Sequence, residues 1–278
     1  AQGAGAQPGS CGSSPEAPVQ TRCCAPAAPV DTGPAGQFYT EEALEGLPDT
    51  VTGASLGCGN PLAIAELQPG EVVLDLGSGG GIDCFLAARK VGPEGRVIGL
   101  DMTPDMIKLA RRNAKKMGVT NVDFRYGEME EMPLSDGTVD VIISNCVVNL
   151  SPDKDAVFRE AHRVLRPGGR LSISDIVVDG ELPEFIRSQM SAWAGCIAGA
   201  LDEAVYLAKI RAAGFDRVDV QSRDQTELDE STGWDEVQVI LSGDDGRDAM
   251  EHLAQEGLTP ADLASKIASI KVTAYKPA

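Results

Sequence analysis

Histidine is scarce in this sequence. Only His162 and His252 occur among 278 residues, against seven cysteines. Because histidine is the usual general base and a common metal ligand near neutral pH, this count argues against mechanisms that need several imidazoles. The seven thiols are therefore the compositional feature that a function has to explain.

Basic residues are also in the minority. The chain has 24 lysines and arginines against 42 aspartates and glutamates, a formal net charge of −18 with both histidines neutral. Proteins that bind nucleic acid or anionic membranes carry an excess of positive charge, so neither partner is expected. Residues 224–256 hold eleven of the acids and one base, Arg247, and we interpret them as a solvated acidic face or loop.

Features of secreted and membrane proteins are missing as well. The odd-numbered, widely spaced cysteines include no Cys-X-X-Cys pair, which argues against a disulfide framework, a zinc ribbon or a thioredoxin-type motif. No apolar run reaches the length of a membrane span, and no basic segment followed by a hydrophobic one opens the chain. We expect a cytoplasmic protein with reduced thiols and no membrane partner.

Residues 1–36 differ in composition from the rest. They contain eight alanines, six glycines and six prolines, and lack leucine, isoleucine, methionine, phenylalanine and tryptophan. Such a segment buries too little apolar surface to offset the entropy of ordering it. A flexible tail is predicted, and its unusual content is Cys11, Cys23 and Cys24. A short helix follows it, with Thr40 as the N-cap.

Strand and helix patterns alternate from residue 72 onward. Strands are predicted at 72–76, 96–101, 122–126, 139–145, 170–177, 218–222 and 237–241, and helices at about 82–91, 104–117, 154–165, 183–200 and 202–213. Alternation at this spacing implies parallel βαβ units. The fold class is therefore α/β, a doubly wound sheet with helices on both faces, followed by a less regular C-terminal α+β extension.

A glycine-rich turn, Asp75-Leu-Gly77-Ser-Gly79-Gly-Gly81, follows the first predicted strand. Glycines there let the backbone approach a ligand at the carboxyl edge of the sheet. The GxGxxG spacing of a dinucleotide site is not met, because the third glycine would fall on Ile82 or Cys84. An acidic residue followed by GxGxG instead resembles the first motif of S-adenosylmethionine-dependent methyltransferases.

Two further acids are in register with that motif. Asp101 ends the second strand, where a carboxylate can accept both ribose hydroxyls. Glu128 follows the third strand, where such enzymes place an acid and an adjacent amide against adenine. The complete set of expected S-adenosylmethionine-binding residues is Asp75, Gly77, Ser78, Gly79, Gly81, Asp101, Met102, Glu128, Met129 and Asn145.

Three cysteines outside the tail have suggestive positions. Cys58 lies between glycines before the sheet, Cys146 directly follows the fourth strand, and Cys196 follows the fifth strand. Thiolates select soft centres, and three sulfurs without histidine suit trigonal As(III) better than tetrahedral zinc. We predict an As(III) site formed by these three cysteines, and a structural role for Cys84.

Four strings carry a closer resemblance. They are ASLGCGNPLAIAELQPGEVVLDLGSGGGIDCFLAARKVG, DMTPDMI, SNCVVNLSPDK and AWAGCIAGAL. They resemble arsenite S-adenosylmethionine methyltransferases of the microbial type, which have a Rossmann-like class I methyltransferase sheet. The resemblance covers roughly residues 38–220 and extends to SIKVTAYKP near the end of the chain, which in that family forms the final antiparallel strand.

The resemblance implies an organisation and a mechanism. The expected parts are the tail at 1–36, an S-adenosylmethionine-binding domain at 37–180, and a substrate-covering region with the last strands at 181–278. Arsenite would exchange its ligands for the three thiolates, and its lone pair would attack the sulfonium methyl group, so that catalysis rests on proximity and desolvation. The implied role is arsenic detoxification.

The resemblance also implies redox turnover. In the family an N-terminal cysteine forms a disulfide with the counterpart of Cys58, which a thiol reductant, glutathione or thioredoxin, then reduces. Cys23 and Cys24 are the candidates here, and Cys11 is a third. The expected partners are this thiol system and a small arsenic substrate, and a monomer is expected.

Two alternatives use the same residues differently. A methyltransferase for another small molecule, such as a quinone or sterol, would share the glycine turn and Asp101 but would give the three cysteines no purpose. A non-catalytic thiol protein that sequesters soft metals would explain the cysteines and leave the Asp75 to Asp101 series unexplained.

Overall fold

The computed structural model describes residues 39–53, 60–187, 197–225, 251, 253–255 and 257–278. The predicted tail at 1–36, Cys58, Cys196 and the predicted strand at 237–241 lie outside the described residues. All described residues belong to one compact unit that spans Thr32–Ala278, and the predicted boundary at residues 180 and 181 falls within this unit.

The described elements follow one another in this order: α1 (Glu41–Leu44), α2 (Asp49–Thr52), α3 (Pro61–Ile64), β1 (Val72–Leu76), α4 (Ile82–Val91), β2 (Arg96–Asp101), α5 (Pro104–Met117), β3 (Val122–Tyr126), β4 (Val139–Asn145), a 3₁₀ turn (Val148–Leu150), α6 (Lys154–Val164), β5 (Leu165–Val178), α7 (Glu184–Arg187), α8 (Glu203–Ala212), β6 (Arg217–Gln225), α9 (Pro260–Ser265) and β7 (Ile267–Tyr275). Among these helices, none is both long and apolar enough to cross a membrane.

The strands form one sheet in the order β3-β2-β1-β4-β5-β7-β6. Strands β1 to β5 pair in parallel, whereas β7 is antiparallel to both β5 and β6. The predicted doubly wound α/β fold is confirmed. Because β1 lies between β2 and β4, the strand order reverses there, and in open α/β sheets such a switch point is where a ligand crevice forms.

Alternating side chains along the buried strands form two cores. Leu74 of β1 packs into a core with Phe158 of α6 and Tyr206 of α8. The neighbouring Val73 points to the opposite face and packs with Phe85 of α4. This period-two alternation places helices on both faces of the sheet.

Local signals fix the ends of several helices. Pro104 is the first residue of α5, and Gly118 ends the helix at a φ of 68°, a conformation that favours glycine. Asp153 is the N-cap of α6, where its side chain accepts from the N–H of Ala156. Thr40 likewise caps α1 through the N–H of Ala43, as predicted.

Three predicted elements differ from the structure. Strand β5 begins at Leu165, five residues before the predicted start, and β6 is longer than predicted. The helix predicted over 183–200 is wrong at residues 197–200, which form a turn in which Ala200 N–H donates to Ile197 O. A tertiary contact explains why these residues are not helical. Val178 N–H donates to Leu201 O, and this hydrogen bond holds the segment alongside the end of β5.

A buried carboxyl group lies inside the core beside α8. Asp175 of β5 accepts hydrogen bonds from the Tyr206 hydroxyl at 2.9 Å and from the Ile176 N–H at 3.0 Å. Burial raises its pKa to about 7, against the opposing effect of these hydrogen bonds. The folded protein therefore holds a proton on Asp175 that the unfolded chain releases near its usual pKa of 3.8.

This difference predicts a pH dependence of stability. The native state binds more protons than the unfolded state between pH 4 and pH 7, so the contribution of Asp175 is complete below about pH 4 and is lost as the pH rises through 7. We expect the free energy of unfolding to fall by on the order of 4 kcal/mol from this group over that interval. Urea denaturation between pH 4 and pH 8 would measure it, and Asp175→Asn should flatten the slope. An equal slope in the variant would contradict the assignment.

Candidate functional site

A cavity of about 380 Å³ lies at the carboxyl edge of the sheet, over the switch point. Its walls come from the glycine turn after β1, the ends of β2 and β4, the segment after β3, and the 3₁₀ turn. Of the expected cofactor residues, the cavity is lined by Gly77, Ser78, Gly79, Asp101, Met102, Met129 and Asn145. The structure therefore brings together seven residues that lie at or after four different strands, β1 to β4.

The glycine turn is held against β2 by its own backbone. The N–H groups of Gly77 and Ser78 both donate to Leu100 O, at 2.8 and 3.0 Å. Gly77 has a φ of 68°, and a Cβ there would lie 2.4 Å from Val147 Cγ2. Only glycine allows this close approach of the turn to the segment after β4.

Ser78 has an incompletely satisfied side chain in this wall. Ser78 is 5% exposed, and its hydroxyl has no hydrogen-bond partner among the described residues. Buried polar groups are almost always hydrogen-bonded. An orphaned hydroxyl in the wall of a cavity therefore points to a ligand that supplies the partner.

Asp101 is oriented toward the same cavity by backbone donors. One carboxylate oxygen accepts from the N–H of Gly79 and the other from the N–H of Thr103, each at 2.8 Å. The two amides fix the carboxylate at the end of β2, partly exposed and next to the turn. This is the arrangement needed to accept the hydroxyl groups of a ribose.

The segment after β3 departs from the prediction at one residue. Glu128, expected against adenine, is exposed and does not line the cavity, whereas Met129 and Glu130 do. Glu128 forms an isolated β-bridge with Glu131, and Met129 and Glu130 form the turn between them. The carboxylate of this segment that faces the cavity is Glu130, which accepts a hydrogen bond from the Ser151 hydroxyl.

Asp75 and Gly81 lie behind the cavity rather than in its wall. The Asp75 carboxyl is fully buried and accepts from the Cys84 thiol at 3.2 Å. Burial and the neighbouring charge of Asp83 raise its pKa well above the usual range. A Cβ at Gly81 would lie 2.8 Å from Phe85, so this glycine is required for packing of α4. Cys84 is a buried free thiol.

Two polar residues of the site, Tyr39 and Asp83, were not identified in the sequence analysis. The Tyr39 hydroxyl donates to Asp83 Oδ1 at 2.7 Å and accepts from Asn145 Nδ2 at 3.1 Å. Asn145 Nδ2 also approaches Asp83 Oδ2 at 3.4 Å. The available signal was Asp83 itself, a charged residue among apolar neighbours on a helix that buries most of its side chains.

Cys146 is the one predicted arsenic ligand within the described residues. It directly follows β4, is 2% exposed and lines the cavity. Its φ of 59° is unusual for a residue other than glycine, and its N–H donates to Ser174 O at 2.8 Å. Its sulfur takes part in a disulfide bond.

The remaining predicted thiols belong to other parts of the chain. Cys58, Cys196, Cys23 and Cys24 all lie outside the described residues. Within the described part of the chain, no three His, Cys, Asp or Glu side chains are grouped as metal ligands. Only one of the three predicted arsenic ligands belongs to that part, so the three-cysteine site stays a prediction.

A buried lysine supports the turn that follows Cys146. Lys154 Nζ donates to the carbonyl oxygens of Asn149 and Ser151, at 3.2 and 3.1 Å. Gly199 packs against the same carbonyl, because a Cβ at this position would lie 1.9 Å from Asn149 O. The segment that follows Cys196 therefore contacts the segment that follows Cys146.

Known proteins match this chain over a large part of its length. Residues 67–231 match a family model described as a methyltransferase domain. An arsenite methyltransferase of Halobacterium salinarum is 50% identical over 198 residues, 71% of this chain and 48% of its own length. An arsenite methyltransferase of Homo sapiens is 40% identical over 172 residues, 59% of this chain and 45% of its own length. The chain thus spans about half the length of the curated relatives it matches.

A solved structure also matches most of the chain. The arsenic(III) S-adenosylmethionine methyltransferase of Chlamydomonas reinhardtii is 33% identical, with a TM-score of 0.67, over 88% of this chain and 74% of its own. The family model spans the glycine turn, Asp101 and the Cys146 segment. The chain belongs to the arsenite S-adenosylmethionine methyltransferase family, within the class I methyltransferases.

Proposed function

We propose that this protein transfers the methyl group of S-adenosylmethionine to trivalent arsenic, as arsenite or methylarsenite, in arsenic detoxification. The observation that carries the proposal is the position of a sulfur. Cys146 lines the same cavity as the glycine turn and Asp101, so a soft ligand and the predicted donor residues share one enclosed space. Another small-molecule methyltransferase would have no use for that sulfur.

The residues of the cavity suit S-adenosylmethionine as the methyl donor. The glycine turn offers close backbone approach, Ser78 offers an unpartnered buried hydroxyl, and Asp101 offers a fixed carboxylate for the ribose. Met129 and Leu100 contribute apolar wall at the adenine end. When bound, S-adenosylmethionine supplies an electrophilic methyl group on a sulfonium sulfur.

The thiolates would hold the arsenic substrate. Cys146, together with Cys58 and Cys196, would replace the hydroxyl or thiol ligands of As(III), since thiolates prefer soft centres. Arsenic would keep a lone pair in this trigonal geometry and form the As–C bond with it, while the bond between the methyl carbon and the sulfonium sulfur breaks and S-adenosylhomocysteine leaves. No substrate proton has to leave in that step, so no general base is needed. The disulfide at Cys146 has to be reduced before its sulfur can bind arsenic.

Redox turnover would restore the thiols. Methylation formally oxidises As(III) to As(V), and two cysteine thiolates can return the two electrons by forming a disulfide. Cys23 and Cys24 are the candidates to pair with Cys58, and glutathione or thioredoxin would reduce that disulfide. Such a requirement for reduced thiols agrees with a cytoplasmic location.

Product analysis tests the proposed function directly. The protein is incubated with arsenite, S-adenosylmethionine and glutathione, and the arsenic species are separated by chromatography. We expect methylated arsenic that requires the protein and S-adenosylmethionine. If the protein binds S-adenosylmethionine but forms no methylated arsenic, arsenic is not the methyl acceptor. If it does not bind S-adenosylmethionine, that compound is not the methyl donor.

A further inference from the structure

Lys154 is a buried cation in an unfavourable place. It is 8% exposed, and no carboxylate of the described residues forms an ion pair with it. It is also the first residue of α6, where the positive end of the helix dipole disfavours a cation. Burial of an ammonium group without a paired acid costs free energy as well. Because two effects oppose a lysine at this position, its ammonium group calls for a function.

The ammonium group holds the chain that follows Cys146. Lys154 Nζ donates to the carbonyl oxygens of Asn149 and Ser151, at 3.2 and 3.1 Å. The Asn149 side chain attaches the same turn to β5, because its Nδ2 donates to Ile176 O at 2.7 Å. The segment that begins at Cys146 is therefore fixed at its far end by both α6 and β5.

Ser151 extends this attachment to the wall of the cavity. Its hydroxyl donates to a carboxylate oxygen of Glu130 and accepts from the Asp153 N–H at 3.1 Å. Ser151 and Glu130 both line the cavity. Glu130 follows β3 and Ser151 follows β4, and these two strands are separated by β2 and β1 in the sheet. The hydrogen bond therefore joins two parts of the wall that strand pairing does not join.

The charges around Lys154 favour the same connection. Burial lowers the Lys154 pKa, and Lys209 on α8 lowers it further, whereas the charges of Asp175 on β5 and Glu130 oppose the fall. Lys209 is itself paired with Asp155 at 2.7 Å. The Glu130 carboxylate thus attracts the ammonium group of Lys154 in addition to binding Ser151.

Methyl transfer is sensitive to an attachment of this kind. The arsenic lone pair has to approach the methyl carbon in line with the carbon–sulfur bond that breaks, and a misplacement of about 1 Å can cost on the order of a hundredfold in rate. Cys146 would hold the arsenic, whereas the cavity would hold the methyl donor. The position of the Cys146 segment relative to the cavity wall therefore decides the alignment.

We propose that Lys154 is a positioning residue for arsenic methylation. Its ammonium group holds the segment that follows Cys146 in register with the part of the cavity wall formed by Ser151 and Glu130, and thereby aligns the arsenic with the methyl group. The assignment rests on the proposed function and adds to it a residue that does not itself line the cavity.

Lys154→Met removes the ammonium group and keeps an unbranched side chain in its place. We expect kcat for arsenite methylation to fall about 30- to 100-fold through misalignment. The affinities for arsenite and for S-adenosylmethionine, measured by isothermal titration, should stay within about threefold, because the lost interaction acts on the transition state. X-ray absorption at the arsenic edge should find as many sulfur ligands on bound arsenite as in the wild type, and this measurement needs no turnover.

Lys209→Met is the matched control for this variant. Lys209 Nζ binds Asp155 rather than the turn after Cys146, and it is the other lysine whose charge acts on Lys154. Since partly exposed ion pairs contribute little, we expect Lys209→Met to keep kcat within about twofold of the wild type.

The other outcomes for Lys154→Met overturn the assignment. If a smaller fraction of the protein binds both ligands and each competent molecule turns over as the wild type does, Lys154 serves only the stability of the fold. If bound arsenite loses a sulfur ligand, Lys154 assembles the thiol site instead of aligning it. An unchanged kcat would remove Lys154 from the reaction. Wild-type protein that forms no methylated arsenic would refute the proposed function itself, before any variant is compared.

Ser151→Ala tests the connection at its other end, and does so even if Lys154→Met fails to fold. The substitution removes the hydroxyl that binds Glu130 and keeps the carbonyl that accepts from Lys154. We expect kcat to fall about tenfold, on the scale of one hydrogen bond to a charged group, with unchanged arsenite affinity. The double variant should lose no more than Lys154→Met alone, because both substitutions break one connection. An unchanged kcat in Ser151→Ala, or losses that multiply in the double variant, would overturn the proposal.

Discussion

Cys146→Ser should lose at least about a hundredfold in kcat/KM for both arsenite and methylarsenite, the scale of loss when a reacting atom is misplaced. Serine keeps nearly the volume of the side chain, but its hydroxyl is a hard ligand that remains protonated near neutral pH and binds As(III) poorly. Cys146 directly follows β4, and its position is fixed by burial and by the hydrogen bond from its N–H to Ser174 O. No neighbouring sulfur of the described chain can replace it.

The matched control for this variant is Cys84→Ser. Cys84 is the other described cysteine, is equally buried, and lies outside the cavity; a serine there can still donate to Asp75. We expect Cys84→Ser to keep methylation, and Cys146→Ser to keep S-adenosylmethionine affinity within about twofold. Cys196→Ser should behave as Cys146→Ser does. Near wild-type turnover of Cys146→Ser or of Cys196→Ser on both arsenite and methylarsenite would refute the three-thiolate site.

The parts of the site that sequence predicts are those with local signatures. The glycine turn follows a buried strand and requires positive φ at Gly77, so its composition marks it. Asp101 ends a strand that has a clear apolar pattern, and Cys146 directly follows another. Since parallel strands end at one edge of the sheet, these three features are predictable once the alternation of strands and helices is recognised.

The parts that sequence does not predict depend on contacts between distant residues. Tyr39 and Asn145 are separated by 106 positions, and their hydrogen bond forms only when the segment before α1 crosses the end of β4. No periodicity or motif signals such a pairing. Glu128 and Glu130 are equivalent as acids in the sequence, and Glu130 reaches the wall because it lies in the turn between the bridged residues Glu128 and Glu131. The turn at 197–200 likewise depends on tertiary packing, which overrides helix propensity.

Gly199→Ala should reduce arsenic methylation by about a hundredfold or more, while S-adenosylmethionine affinity stays within twofold. An alanine Cβ would lie 1.9 Å from Asn149 O and 3.0 Å from Asn149 C, both backbone atoms. Asn149 cannot readily yield, because Lys154 Nζ binds its carbonyl at 3.2 Å and its own amide donates to Ile176 O at 2.7 Å. The segment that contains Gly199 must move instead, and Cys196 lies three residues before it.

The measurement compares methylation rates with arsenite affinity and S-adenosylmethionine affinity, well below the unfolding temperature. Gly180→Ala is the control, because Gly180 has a φ of +80° with nothing within 4 Å of an added Cβ. It should cost about 1 kcal/mol in stability through backbone strain and leave methylation unchanged. If Gly199→Ala methylates arsenic as the wild type does, the contact between the two segments does not position the thiols. If Gly199→Ala loses as much S-adenosylmethionine affinity as methylation rate, the clash acts on the cofactor cavity. The 3₁₀ turn would then be displaced, and its Leu150 is part of the cavity wall.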